Sequence, residues 1–122
     1  MKKAKMLKKN YEFKNVLEKR NHFGGRYLDV FLMKNNENIN YLGIAVSKKV
    51  ANSVQRNKIK RYIREAYTNI EDNINNGFNI IIIWKRKVSV EEANFHSIKK
   101  DLIFILQKAN IYLGKEEIQW KS

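Results

Sequence analysis

The chain has 122 residues, carries 25 Lys and Arg against 12 Asp and Glu for a formal net charge of +13, and contains neither Cys nor Pro. With 43% hydrophobic residues and 11% aromatics it has material for one core, which excludes wholesale disorder, and the lack of Cys excludes disulfides and thiolate metal sites. The longest apolar run, Phe78 to Trp84, is broken by Asn79 and falls short of the roughly 18 apolar residues a spanning helix needs, so no membrane association is expected and a cytoplasmic location is.

In chain order, Tyr11, Phe13, Val16 and Leu17 follow at helical spacing behind Asn10, a candidate N-cap, and the pattern stops before Gly24-Gly25, which reads as a turn. From Arg26 to Lys34 the apolar residues alternate. Leu28, Val30 and Leu32 share one face, with Tyr27, Asp29, Phe31 and Met33 on the other. After a polar turn at Asn35 to Asn40, Leu42, Ile44 and Val46 face away from Gly43, Ala45 and Ser47, and the two strands are expected to pair antiparallel. A short extra strand is possible near Ser47 to Val50. Ser53 to Ile74 reads as an amphipathic helix with Ile59, Ile63, Ala66, Tyr67 and Ile70 on its apolar side. Phe78 to Trp84 is a β-branched run of the kind found in a strand covered on both faces. Val90 to Tyr112 predicts a last helix, with Glu91 and Glu92 in its first turn, where the helix dipole favours acids. The order α-β-β-(β)-α-β-α predicts an α+β sandwich in a single domain over residues 1–122, with 1–9 as a flexible basic arm.

The charge is unevenly spread. Met1 to Arg20 holds eight basic residues and two acids, and the 18-residue window Ser47 to Arg64 holds seven basic residues and no acid. On the helix, Arg56, Asn57, Lys60, Arg61 and Arg64 share an arc next to the apolar side, with Lys48 and Lys49 just before it. A solvated helix face normally mixes Glu with Lys, so this stripe points to a polyanion, nucleic acid before anionic lipid. Arg forks suit phosphate, and Asn57 adds a donor and an acceptor. Tyr27 and Phe31 beside Gly43, Ala45 and Ser47 would make a shallow groove for unpaired bases. In the other reading, the first helix covers these aromatics through Phe13 and Leu17. Both hold in part if Phe13 is a wall of the groove.

Enzymatic constellations are weak. His22 and His96 lack metal-ligand spacing, Glu91-Glu92 and Glu116-Glu117 cannot flank one bond from a helix, and Gly24-Gly25 lacks the rest of a phosphate loop. No catalytic residue and no metal site is expected in the protein.

The segment GIAVSKKVANSVQRNKIKRYIREAY, Gly43 to Tyr67, closely resembles the signature of the bacterial ribonuclease P protein subunit, an SKK-type turn followed by an RNxxKRxxRE helix. LKKNYEFKNVL, Leu7 to Leu17, and FNIIIIW agree with that family in order and spacing. The resemblance implies an α/β sandwich with a left-handed βαβ crossover, like the second domain of a small-subunit ribosomal protein. It implies an endoribonuclease holoenzyme that removes the 5′ leader of precursor tRNA, the RNA subunit performing the Mg²⁺-dependent hydrolysis. The protein would then be an RNA-binding accessory, inactive alone, at one copy per RNA. By the resemblance, Arg56, Asn57, Lys58, Lys60, Arg61 and Arg64 face the catalytic RNA, and Phe13, Leu17 and Phe31 line the cleft for the single-stranded leader. Lys58 stands where the family usually has Arg, and Leu17 where an aromatic is common. The rival readings are a structural or ribosomal RNA-binding protein without a processing role, and a protein-only nuclease.

Overall fold

The computed structural model describes residues 3–114. It contains β1 (Lys5–Met6), α1 (Asn10–Glu18), β2 (His22–Gly24), β3 (Leu28–Lys34), β4 (Tyr41–Ala45), α2 (Ser53–Ile70), β5 (Phe78–Trp84) and α3 (Phe95–Lys108). The strands form one mixed sheet in the order β1-β4-β5-β3-β2, with β4 parallel and β3 antiparallel to β5. Parallel neighbours need a crossover, and α2 supplies it between β4 and β5. Among the described residues no helix is long and apolar enough to cross a membrane.

The expected β3–β4 hairpin does not form, because β5 lies between the two strands. Ile80, Ile81 and Ile82 are fully buried, so this strand takes the centre, where both of its faces are covered. The connection from β3 to β4 therefore arches over the entry to β5. Asn35 donates to Ile39 O at 3.1 Å and to Asn79 Oδ1 at 3.0 Å, and its own N–H bonds Gly77 O at 2.9 Å. Gly77 has φ +98°, and a Cβ there would sit 3.1 Å from Glu37 O, so the site requires glycine.

Leu28, Val30, Leu32, Ile80, Ile82, Trp84 and Leu42 build the main core under α2 and α3. α1 lies on the opposite face over a smaller cluster of Leu7, Val16 and Ile81. Asp101, wholly buried in α3, accepts N–H bonds from Arg26, Tyr27 and Leu28 at 2.7, 2.8 and 2.9 Å, which ties α3 to the start of β3.

Other expectations change locally. Lys5–Met6 pairs with Tyr41 and Leu42, and Leu7 is buried, so residues 3–9 are part of the fold and not a free arm. α1 begins at Asn10 with Lys9 at the cap position, because the Glu12 carboxylate reaches back to Lys9 N at 3.0 Å. Ser47 to Val50 is a turn and not a strand, closed by Val50 N to Ser47 O at 3.1 Å. α2 starts on a reciprocal cap, Gln55 N to Asn52 Oδ1 at 2.8 Å and Asn52 N to Gln55 Oε1 at 3.1 Å. It ends at Ile70 instead of Ile74, passing into a 3₁₀ turn at Glu71–Asn73. Glu91 and Glu92 lie in a separate 3₁₀ turn, and α3 begins after Asn94, whose side chain caps Ser97 N at 2.9 Å.

Candidate RNA interface

α2 sorts its side chains by helical period: Ile59, Ile63, Ala66, Tyr67 and Ile70 are buried, while Asn57, Lys58, Arg61 and Arg64 are exposed. Lys60 and Arg56 are half-buried at the margin. Val54, Asn57, Lys58, Lys60, Arg61 and Arg64 line a shallow open groove along the helix. Internal pairing takes up little of this charge. Arg61 Nε lies 3.8 Å from Glu65 Oε1, with the Arg61 side chain 60% exposed, and such loose surface pairs contribute roughly 0–1 kcal/mol. Arg56 Nη1 donates to Ala51 O at 2.9 Å, which fixes the stem and leaves the other guanidinium donors available. Lys58 and Arg61 approach the Tyr62 ring at 5.9 and 5.6 Å. Lys60 and Arg64 have no ion pair among the described residues. Lys48 and Lys49 are exposed in the turn that joins β4 to α2.

The second expected site lies on the α1 face of the sheet. There the register places His22, Phe31, Ile81 and Gly43 in one row across β2, β3, β5 and β4. Phe13 reaches down from α1 onto Gly43, so closely that a Cβ at that position would sit 2.7 Å from the ring. The space expected above Gly43 is therefore filled by Phe13. Phe13, Leu17 and Phe31 are each half-buried, packed around Val16 and Ile81 while keeping part of their surface open. Phe13 thus covers the small-residue positions, as in the reading that lays the first helix over them, and leaves part of its ring open beside Leu17 and Phe31. On the same face, Tyr41 donates to Glu37 Oε1 at 3.0 Å, and that bond, with the nearby negative charge, pushes the phenol pKa up.

Tyr27 does not join these side chains. Its backbone is drawn to Asp101 just before β3 begins, breaking the alternation, and its ring stacks on Trp84 at 5.9 Å in the main core. One group escaped the sequence reading. His22, considered there only as a metal ligand, lies beside Phe31 and Asp29, because β2 pairs with β3. Alternation already set Asp29 on the Phe31 face, but nothing local in the sequence showed a strand at His22–Gly24. Among the described residues no three His, Cys, Asp or Glu side chains cluster as metal ligands.

The family model for ribonuclease P matches residues 1–110. The chain belongs to the ribonuclease P family. The ribonuclease P protein component of Clostridium botulinum (strain Langeland) is 38% identical over 111 residues, covering 90% of this chain and 98% of that one. The ribonuclease P protein of Staphylococcus aureus superposes with a TM-score of 0.78 at 32% identity, over 90% of this chain and 99% of that structure. That of Thermotoga maritima superposes equally well, with a TM-score of 0.78 at 27% identity over 86% and 97%. The protein is thus a subunit of the ribonuclease P holoenzyme, an endoribonuclease that processes tRNA 5′ ends, and its partner is the ribonuclease P RNA.

Proposed function

We propose that α2, with Lys48 and Lys49 before it, binds the ribonuclease P RNA, while the groove of Phe13, Leu17 and Phe31 holds the single-stranded 5′ leader of precursor tRNA. The observation that carries this reading is the acid-free window Ser47 to Arg64, whose cations lie along the open side of α2 with almost no internal partner. Phosphates are the natural complement to such a row, and half-buried rings on the other sheet face supply sequence-tolerant stacking. Hydrolysis then belongs to the RNA subunit with Mg²⁺. In this reading the protein contributes charge and positioning. It works as one copy per RNA, in the cytoplasm, and is inactive alone.

Neutralising cations between two polyanions should reduce the Mg²⁺ needed to bring them together. In reconstitution with the cognate RNA at low Mg²⁺, adding the protein should restore cleavage of leader-bearing precursor. It should also tighten binding of that precursor more than binding of mature tRNA. Equal affinity for the two, with no recovery of cleavage, would contradict the reading.

A further inference from the structure

At the outer edge of the α1 face, three elements converge on one ring. His22 on β2 lies opposite Phe31 in the ladder, and the two rings pack with centroids 4.9 Å apart and planes inclined by 36°. His22 Nε2 lies 2.9 Å from Asp29 Oδ1 on β3. Lys85, just past β5, brings its ammonium to 3.8 Å from the same oxygen. The imidazole is thus held by a ring on one side and a carboxylate on another, yet 43% of its side chain stays exposed.

That combination is unusual for a surface histidine. A ring fixed in advance loses little rotamer freedom when a ligand settles on it, so contact there adds more to affinity than contact with a mobile side chain. Asp29 is otherwise out of place on a face meant for a polyanion, since a bare carboxylate repels phosphate. Asp29 is engaged by the His22 hydrogen bond, with Lys85 loosely beside it, so the carboxylate serves to hold the ring.

We propose that His22 is an additional stacking position for single-stranded RNA: an unpaired leader base lies on the exposed imidazole and continues the Phe31–His22 pair outward over β2. This rests on the leader-groove reading above and extends it by one nucleotide. Stacking on a ring face tolerates any base, so the position reads leader length and not leader sequence.

The test uses reconstituted holoenzyme and precursor tRNAs carrying 2-aminopurine at each leader position in turn. Wild-type protein should quench a run of adjacent positions. His22→Ala should lose the quench at one end of that run. It should also weaken binding by about fivefold for precursors whose leader reaches that position, with shorter leaders unaffected. His22→Phe, which keeps a ring but cannot bond Asp29, should restore both, and its melting curve checks that the fold is intact. A His22→Ala protein that quenches and binds like wild type at every position overturns the proposal. So does a loss that His22→Phe fails to restore, which would place the effect in the Asp29 bond. If wild-type protein quenches no leader position, the leader-groove reading itself fails, a result distinct from either.

Discussion

Arg61 is a side chain whose own surroundings leave its charge open to a partner outside the molecule. Its guanidinium makes a loose 3.8 Å approach to Glu65 and leans over Tyr62 at 5.6 Å, so Arg61→Ala should scarcely change stability. Under the proposed function its effect falls on RNA binding: the variant should weaken affinity for the ribonuclease P RNA and flatten the plot of log affinity against log salt by about 0.7 to 0.9 per lost phosphate contact. Titration at several salt concentrations measures this directly, and an unchanged slope would mean that Arg61 is only solvated. Residues of this kind are legible in sequence, because helical period alone decides which side chains share an arc. Tyr27 and His22 are not. Tyr27 obeys the period of its strand until the Asp101 carboxylate, 74 positions away in sequence, captures its N–H, and His22 acquires meaning only from Phe31 and Asp29 across the ladder.

Elements were readable where their own pattern was long and strong. α2 was found with its apolar side residue for residue, and its early end at Ile70 is a matter of one 3₁₀ turn. β1 and β2, with two and three residues, are too short to carry a period, and they exist because their neighbours offer free edges. The docking of α1 depends on one missing atom. Replacing Gly43 by Ala would put a methyl group 2.7 Å from the tip of the Phe13 ring, and that ring is the part that must give way. Gly43→Ala should therefore swing the Phe13 ring off its seat near Phe31 at a cost of about 1 kcal/mol in urea denaturation. Under the proposed function the leader lies beside that ring, so precursor affinity should fall together with stability, while affinity for the RNA subunit through α2 should hold. A loss of stability without any change in precursor binding would separate the groove from the α1 seat.

At the scale of the whole molecule, the charge of +13 is a strain on the free protein that a polyanion relieves. Any partner that binds only the folded state stabilises it by mass action, by about 2.7 kcal/mol at a hundredfold excess over Kd. For a chain of this size that corresponds to a rise in Tm on the order of 10 °C. The rise should shrink steeply between about 50 and 200 mM salt as counterion release loses its force. Tryptophan fluorescence, to which Trp84, wholly buried in the main core, contributes together with Trp120, can follow the transition with and without the RNA. A salt-independent rise would point to contacts other than phosphate. The helices, the buried character of β5, the basic face of α2 and, through the signature segment, the family can all be read from the chain alone. These are properties of consecutive residues and survive in any arrangement of the chain. It takes the folded molecule to put β5 between β3 and β4, to set Phe13 over Gly43, to turn Tyr27 into the core and to bring His22 to Phe31. Those outcomes depend on which surfaces win the competition for burial, and the most apolar strand takes the middle and reassigns the neighbours of all the others.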